Sequence, residues 1–504
     1  MIKNELYRWT FLSTILCLFF APAAAVGQTV TGMISGAVTD ASGQIIQNAT
    51  VTLVSESTGD RRTVTTNEAG GFVFAAALPG TYTITVDQRG FRKFERKGNV
   101  LTANERLSIG NIALVIGDLT ETVTTTASGT PVQTESAEHS ALISSKQLEL
   151  VSSRGRDVIS LLRILPGVSY QGQNELGGSS GGGVQIPNIQ GGRNTASVIN
   201  VDGVRGNDMG GPDFLSSAIN FDAIGEVKVL LNGYQAEYAS NLGAGVNIIT
   251  KSGTREYHGS GYWYKRHEML NANNFFNNLQ GRNADGSEKA PRPITRYNTL
   301  GFTLGGPVWI PKAPNKLKEK LFFFYSFEDA RTRAPQDLRR VTVPTERERN
   351  GDFMQSSVVI RDPQTGQPFP RNIIPAERIN KNGQALLNIF PLPNALDTAI
   401  TGGAYNYIFQ ESINIPKRQH VLRSDYRLSE KDTFYVRGST WYADNQGVAV
   451  AAGPSNWGLA KLHYTFTDNG IIGDWTHLFS SSLVNEASVG LRHSVEAGPP
   501  LSDA

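Results

Sequence analysis

Alternating apolar and polar positions dominate the second half of the chain. In segment 433–442, Phe434 and Val436 fall on one face of an extended strand and Arg437 on the other, and segment 483–492 alternates in the same way. Such a pattern is typical of a membrane β-barrel strand, with one face toward lipid, or of a half-buried strand in a soluble sandwich. It predicts strands near 255–266, 296–309, 320–331, 418–428, 432–443, 458–468, 471–479 and 483–494.

The spacing of these strands favours the barrel. The link Ser429–Asp432 is very short, whereas the long, polar segment 332–417 separates two neighbouring strands. Outer-membrane barrels have short turns on one side of the membrane and long loops on the other.

The pattern changes before residue 254. The run Gly243–Thr250 predicts a buried strand, and Lys251–Thr254 predicts a turn. Upstream, Arg156–Leu165 places apolar residues on one helical face, and Pro166-Gly167 ends that helix. With further strands at 184–190, 197–201 and 225–231, region 130–253 is predicted to be α+β.

Short strands and turn signals fill residues 30–116. The strands are predicted at 36–38, 50–53, 62–64, 71–74 and 81–86, and Asp40–Gly43, Asn67–Gly70 and Leu78–Gly80 predict turns between them. This spacing predicts a small β-sandwich.

The N-terminus has the order of a secretory signal. Lys3 and Arg8 precede an apolar run at 9–20, and Ala21–Gly27 offers small residues for cleavage. We therefore expect residues 1–27 to be a signal peptide. Its removal would also remove Cys17, the single cysteine of the sequence.

The amino-acid composition narrows the class of protein. With 39% hydrophobic residues, 18% charged residues and a net charge of +2, the chain is neither disordered throughout nor a nucleic-acid binder. Its 52 glycines suit turns and close-packed strands. No stretch after the signal is apolar enough for a membrane helix, so a membrane-spanning form would have to be a β-barrel.

Motifs for catalysis are incomplete. Gly178–Gly182 matches a nucleophile elbow but lacks the flanking strand and helix. His267-Glu268 lacks the second histidine of a zinc helix, and His493 and Glu496 have no third ligand downstream. The sequence predicts no enzyme activity, no metal site and no cofactor.

Several motifs resemble known families. Leu162–Val168, Gln190–Arg193, Asn200–Val204, Glu226–Val229 and Gly245–Gly253 occur in the order found in the plug of TonB-dependent outer-membrane receptors. Residues Leu270–Phe276, Lys320–Phe324 and Arg349–Phe353 resemble the large Oar-like branch of those receptors. The motifs Gly36–Asp40, Asn48–Val51 and Leu78–Gly80 resemble the carboxypeptidase-regulatory-like domain, which implies no peptidase chemistry.

The resemblance implies a mainly β protein with an N-terminal transthyretin-like β-sandwich, an α+β plug and the N-terminal part of a large transmembrane β-barrel. We expect a signal peptide at 1–27, the sandwich at 30–116, a TonB-box-like linker at 117–129, the plug at 130–253 and the partial barrel at 254–504. Plugged barrels have about 22 strands, more than the residues after 254 supply, so we expect the sequence to be a fragment.

The resemblance also implies a function. It predicts a receptor that binds a bulky extracellular solute, such as an oligosaccharide, a peptide or a metal chelate, and imports it past the plug. The implied location is the outer membrane, in contact with its lipid, with the sandwich and plug on the periplasmic side. The alternative is a surface binding or adhesion protein, including a carbohydrate binder, without active transport.

Two groups of residues are candidate sites. Glu121, Thr122, Val123, Thr124 and Thr125 resemble the TonB box, which implies a free, extended segment that pairs with a TonB-type energy-coupling protein of the inner membrane. An ordinary linker fits the same composition.

Ligand contacts are also expected within the plug. Arg193, Asn194 and Asp202 are polar residues beside glycines, and we name them as candidate ligand contacts. Turn and packing roles fit the same residues.

Overall fold

A computed structural model describes most of residues 30–499. The residues that it does not describe within this range, and of which nothing structural is said below, are 118–121, 127–136, 152–155, 170–183, 209, 212–213, 216–218, 235–242, 274, 280, 283–284, 289–290, 311–316, 336–337, 449–456, 460 and 481–482. The predicted signal peptide at 1–27, Glu121 and the Gly178–Gly182 motif lie outside the described residues.

The N-terminal region is a β-sandwich. One sheet has the order β4-β1-β7, and the other has the order β3-β2-β5-β6-β8. Their inward faces share a core that contains Ile34, Leu53, Phe74 and Ile84, all at most 1% exposed. Each such side chain contributes about 1.5–3 kcal/mol by leaving water. The strands are β1 (Gly32–Asp40), β2 (Thr50–Ser55), β3 (Arg61–Thr65), β4 (Gly71–Ala77), β5 (Gly80–Asp87), β6 (Lys93–Leu101), β7 (Arg106–Leu114) and β8 (Thr122–Thr126).

The second region is α+β and is built around a five-stranded sheet of order β14-β13-β17-β16-β9. All six residues of the central strand β17 are buried, because both faces of the sheet are covered. The strands of this region are β9 (His139–Ser144), β10 (Val168–Ser169), β11 (Val184–Gln185), β12 (Asn188–Ile189), β13 (Val198–Val201), β14 (Val204–Arg205), β15 (Phe214–Leu215), β16 (Ile224–Asn232) and β17 (Gly245–Thr250).

Short helices cover this sheet. Helix α1 (Ser145–Leu150) begins with a capping box at Ser144, and α2 (Val158–Leu161) continues as a 3-10 turn at Leu162–Ile164. The helix expected over Arg156–Leu165 is therefore present in shortened form, and Gly167, with φ of +80°, turns the chain after it. Further 3-10 turns lie at Asn194–Ala196 and Phe221–Ala223.

The third region is one antiparallel, seven-stranded sheet in which β18 and β26 form the two edges. Gly253 lies where the chain enters it: a Cβ at this position would lie 2.4 Å from the carbonyl oxygen of Phe323. The strands are β18 (His258–Arg266), β19 (Arg296–Pro307), β20 (Leu321–Pro335), β23 (Ser412–Arg427), β24 (Asp432–Val448), β25 (Lys461–Leu478) and β26 (Val484–Ala497), with a separate ribbon of β21 (Arg339–Val341) and β22 (Tyr407–Phe409).

This sheet buries polar residues and exposes apolar ones. Arg423, Arg437 and Asp468 are buried on its inner face, whereas Val489 and Leu491 on the outer face are 68% and 69% exposed. A soluble sandwich would show the opposite polarity, so the inverted pattern favours a lipid-facing exterior.

One expectation about these strands was wrong. The sequence predicts two strands at 458–468 and 471–479, but β25 runs unbroken from Lys461 to Leu478. Its central Asp468-Asn469-Gly470 looks like a turn. The ladder continues through it because Asp468 faces inward and forms an ion pair of 2.7 Å with Arg492.

Helices in the connections are short. They are α3 (Phe275–Leu279), α4 (Glu346–Arg349), α5 (Lys381–Ile389) and α6 (Thr398–Thr401), with 3-10 turns at Glu268–Leu270, Pro370–Asn372 and Ala376–Arg378. Within the described ranges, no helix combines the length and the apolarity that crossing a membrane requires.

Candidate functional site

The long connections of the seven-stranded sheet gather at one end. Segments 267–295 and 336–411 join strands at this end, whereas the links 428–431 and 479–483 at the opposite end are short. This loop end contains a cavity of about 800 Å³. Its walls are formed by Asn277, Pro291, Arg292, Pro293, Ile294, Arg333, Leu338, Arg340, Asn394, Ala395, Leu396, Asp397, Ile400, Thr401, Ile408, Gln410, Glu411 and Ser412.

The acidic side chains that line this loop-end cavity have partners, whereas two of its arginines have no carboxylate partner among the described residues. Asp397 caps α6 by accepting the Ala399 N–H at 2.9 Å, and Glu411 lies 3.6 Å from Lys461. Arg333 and Arg340 are exposed, and neither has a carboxylate partner in the described part of the chain. The cavity therefore offers two uncompensated guanidinium groups beside apolar walls.

A third arginine holds the loop itself. The Arg292 Nη1 atom donates to the carbonyl oxygens of Glu268, Met269 and Asn271 at 3.1, 3.0 and 2.7 Å. These bonds tie the two ends of the 267–295 segment together and fix one wall of the cavity.

The α+β region, which the sequence resemblance identifies as a plug, packs against the seven-stranded sheet, and its core includes Phe324 and Val421 of that sheet. Arg156 forms an ion pair with Asp222 and lies 3.8 Å from Glu328 of β20. Its guanidinium also stacks over the rings of Tyr262 and Tyr264, at 4.7 and 4.1 Å. This cluster joins the plug to the first strands of the sheet.

A second buried cluster surrounds Asp202. Asp202-Gly203 forms the two-residue turn between β13 and β14, with φ angles of +46° and +84°. The Asp202 carboxylate accepts hydrogen bonds from the Thr250 N–H and hydroxyl at 2.9 and 2.7 Å. It also lies 3.5 Å from Nη1 of Arg423 and 3.0 Å from Nε of Arg437, the latter without hydrogen-bond alignment.

These two arginines belong to β23 and β24. Arg423 forms a second ion pair with Asp425 at 2.9 Å, and its Nη1 donates to the Thr250 carbonyl oxygen at 3.3 Å. Because all of these groups are buried, the contacts form a polar seat between plug and sheet, called the plug seat below. Asp202 is 1% exposed, so a solute has no access to it in this structure.

The other two candidate contacts lie at the plug surface. Arg193 is exposed and precedes the 3-10 turn that begins at Asn194, whose side chain is half-buried. The structure does not bring Arg193 and Asn194 together with Asp202 into one site.

The TonB-box-like residues 122–126 form β8. It pairs in parallel with β6, from Lys93 opposite Thr122 to Lys97 opposite Thr126. The extended form agrees with the sequence, but the expectation of a free segment was wrong. Without β8, the N–H and C=O groups along this edge of β6 would be unpaired, and a β-branched segment is suited to pair with them.

The sandwich contacts both other regions. The Ala103 N–H donates to Glu226 of the plug at 2.6 Å, and Lys228 donates to the Ala103 carbonyl oxygen at 2.9 Å. Asp60 forms an ion pair with Arg427, at the short-turn end of β23. Burial raises the pKa of Glu226 to about 7, although the Ala103 N–H and Lys228 oppose that shift.

The incomplete catalytic motifs have structural roles. His267 caps the 3-10 turn at Glu268–Leu270, and Glu268 pairs with Arg296. Glu496 of β26 accepts the Tyr464 hydroxyl. In the described ranges, no three His, Cys, Asp or Glu side chains are grouped to hold a metal ion.

Sequence reasoning did not identify the loop-end cavity or the plug seat. Alternation places Arg437 on the inner face of β24, and a charged residue there could have suggested a partner inside the sheet. No local signal pairs it with Asp202.

Three family models match the chain. The outer membrane beta barrel domain matches residues 249–503, the TonB-dependent receptor plug domain 132–246 and the carboxypeptidase regulatory-like domain 33–115. The chain is also 27% identical over 354 residues to the TonB-dependent transporter Oar of Myxococcus xanthus, which covers 66% of this chain and 30% of that protein.

Solved structures of similar architecture have low identity and low scores. A mutant of the ferric enterobactin receptor PfeA of Pseudomonas aeruginosa is 14% identical with a TM-score of 0.40, and covers 72% of this chain and 42% of its own. The outer membrane transporter YddB of Escherichia coli is 8% identical with a TM-score of 0.43, with coverage of 70% and 38%.

The chain thus spans 30% of the length of the curated relative and less than half of these solved structures. The barrel model alone matches half of the chain, and the plug model lies directly before it. The chain therefore belongs to the TonB-dependent receptor family of the Gram-negative outer membrane.

Proposed function

We propose that this chain is part of a receptor that binds an extracellular solute at the loop-end cavity and imports it past the plug with energy from a TonB-type protein. Residues 1–27 direct export, 30–116 form a periplasmic sandwich, 117–129 carry the coupling segment, 130–253 form the plug and 254–504 form part of the barrel. In this proposal the chain is a transporter component and has no catalytic role.

The plug seat is the observation that supports this proposal most directly. Asp202 of the plug is enclosed by Arg423 and Arg437 of the sheet, and all three side chains are buried. Buried ion pairs are costly to break one partner at a time. A plug held in this way needs an external energy source to move, and a family whose members couple to TonB supplies one.

The chemistry of the cavity favours an anionic solute with an apolar body. Arg333 and Arg340 offer charge-assisted hydrogen bonds, and Leu396 and Ile400 offer exposed apolar surface, at 72% and 51% exposure. Among oligosaccharides, peptides and metal chelates, we therefore propose acidic members of these classes. The cavity also has room for a bulky ligand, since small-molecule sites are about 300–1,000 Å³.

Two measurements test the proposal. Deletion of residues 118–127 in the intact receptor should abolish solute uptake and leave solute binding unchanged, because none of the residues that line the loop-end cavity belongs to this segment. Uptake that persists after the deletion would contradict the coupling assignment. Binding without any energy-dependent uptake in the wild type would instead indicate a surface binding or adhesion protein.

A further inference from the structure

The sandwich lies across the short-turn end of the seven-stranded sheet. Its hydrogen bonds reach Arg255, just before the edge strand β18, and Glu486 in the opposite edge strand β26. We propose that the sandwich is a lock on the plug. While it is docked on the sheet the plug seat stays closed, and it separates from the sheet before the plug moves. This inference rests on the proposed function only in that import requires the plug to move.

A small apolar cluster joins all three regions of the chain. Val30 and Ala103 of the sandwich belong to it. The other buried members are Ile249 of the plug strand β17, Tyr435 of β24 and Ile472 of β25. Because these side chains are removed from water together, separation of the sandwich would cost free energy in proportion to the apolar area that it exposes. The sandwich is therefore packed against the boundary between plug and sheet.

Tyr435 of this cluster contacts two residues of the plug seat. Its hydroxyl donates to the Asp202 carbonyl oxygen at 3.1 Å, and the guanidinium of Arg423 lies over its ring at 4.5 Å. Separation of the sandwich would open the cluster to water beside these groups. Water raises the local dielectric constant and weakens the attraction between Asp202 and its arginines. The docked sandwich thus stabilises the plug seat.

The turn between β6 and β7 of the sandwich also bonds to the plug strands. Asn104 accepts a hydrogen bond of 3.3 Å from Asn247 of β17, next to the bonds that Ala103 makes to β16. Strand β17 contains Thr250, which donates two hydrogen bonds to Asp202. The sandwich is therefore bonded to the strand that completes the plug seat.

Polar contacts dock the sandwich on the sheet. Arg427, at the end of β23, forms an ion pair with Asp60 and donates to the Arg61 carbonyl oxygen at 2.7 Å. The Arg255 N–H donates to the Ser57 carbonyl oxygen at 3.2 Å. The Arg427 and Asp60 side chains are partly exposed, so water can replace their contact at modest cost. Because the sandwich core consists of sandwich residues alone, the sandwich can separate without unfolding.

A disulfide between the sandwich and the sheet tests this order of events. Ser57 and Arg255 share a main-chain hydrogen bond, which is compatible with the Cα separation of about 4.4–6.8 Å that a disulfide spans. The variant S57C/R255C would hold the sandwich on the sheet when oxidised. Because Cys17 is the single cysteine of the sequence and lies in the predicted signal peptide, residues 28–504 contain no competing thiol.

The measurement is hydrogen exchange at the amides of β17 in the intact receptor, which reports opening of the plug seat without a solute or a partner. We expect exchange in the oxidised variant to be at least about tenfold slower than in the reduced variant, because the seat cannot open while the sandwich is held. Equal exchange in the two forms would overturn the proposal, since the plug would then open under a docked sandwich. The matched control T52C/T63C links two strands within the sandwich, and its exchange at β17 should not change on oxidation.

The variant R427Q tests the lock in the opposite direction. Among the described residues, Arg427 pairs with Asp60, Arg61 and Ser429 and with no residue of the plug. An effect of R427Q at β17 would therefore be transmitted through the sandwich. We expect exchange at β17 to accelerate about tenfold, the typical effect of losing a hydrogen bond to a charged group.

The matched control for R427Q lies on the same strand. Arg418 of β23 pairs with Asp329 at 3.1 Å, at the loop end and away from the sandwich, so R418Q should leave exchange at β17 unchanged. Exchange in R427Q equal to that in R418Q would overturn the proposal. Neither result bears on the coupling segment, because deletion of residues 118–127 tests that assignment by uptake and these variants keep the segment intact.

Discussion

Replacement of Asp202 by asparagine tests the plug seat. Asparagine keeps the size of the side chain, tolerates the φ of +46° at this turn and can still accept the Thr250 N–H. What it removes is the negative charge that faces Arg423 and Arg437. The variant therefore isolates the electrostatic part of the seat from its shape.

The expected cost follows from the partners that remain. Removing one member of a buried ion pair costs about 3–5 kcal/mol, largely because a buried charge is left uncompensated. Arg423 keeps Asp425 at 2.9 Å, whereas Arg437 has no other carboxylate within ion-pair distance in the described ranges. We therefore expect the lower end, about 3 kcal/mol, which is a factor of about 100 in the opening equilibrium.

Hydrogen exchange at the amides of β17, Gly245–Thr250, measures this opening in the intact receptor. Exchange should accelerate about 100-fold in D202N, and the double variant D202N/R437Q should recover part of the protection because the uncompensated charge is gone. The control R331Q removes an exposed partner of Asp329 and should change stability by less than about 1 kcal/mol. An exchange rate in D202N equal to that of the wild type would refute the reasoning. So would a double variant in which the free energies lost in D202N and in R437Q simply add.

Three further predictions concern other parts of the chain. Burial raises the pKa of Glu226 from 4.5 to about 7, so the folded state favours the neutral carboxyl group. The free energy of unfolding should therefore be highest below about pH 5 and should decline as the pH rises through 7. The decline should reach about 3 kcal/mol, and thermal unfolding of E226Q between pH 5 and 9 should lack it. The double variant R333Q/R340Q should weaken binding of an acidic solute at least tenfold, while binding of the periplasmic domain of the TonB-type protein stays unchanged. Equal loss of both kinds of binding would indicate misfolding. V489R, which places a charge on the outer face, should destabilise the receptor in bilayers by about 2–4 kcal/mol, whereas S488R on the inner face should not show the same dependence on lipid.

Strands were predictable where alternation is regular. The segment 433–442 alternates without interruption, and β24 runs through it, with Arg437 buried and Val436 exposed as the two faces require. Strand β7 was missed because its alternation changes phase. Leu107 and Ile109 share the core face with Ile112 and Leu114, and Gly110, with φ of +75°, forms the irregularity that shifts the register between them.

The plug seat and the cavity could not be predicted for a different reason. Asp202 carries a clear turn signal beside Gly203, and the turn forms as expected. Its partners Arg423 and Arg437 lie far along the chain, and local patterns contain no information on which strands surround the plug. The cavity likewise depends on how segments 267–295 and 336–411 pack against each other, which alternation does not determine.

The contacts of the sandwich determine how a pull on β8 would travel. About 12 residues connect β8 to the plug strand β9, and they could extend to about 40 Å before becoming taut. If the covalent connector were the only route, a partner could move far before the plug felt any force. The bonds of Ala103 to Glu226 and Lys228 give a second route without slack, since they already join the sandwich to β16, the strand next to the edge strand β9 of the plug sheet. A short displacement of β8 together with its sandwich would then transmit force directly to β16 of the plug. The ion pair between Asp60 and Arg427 would oppose the same motion, because it ties the sandwich to the barrel sheet.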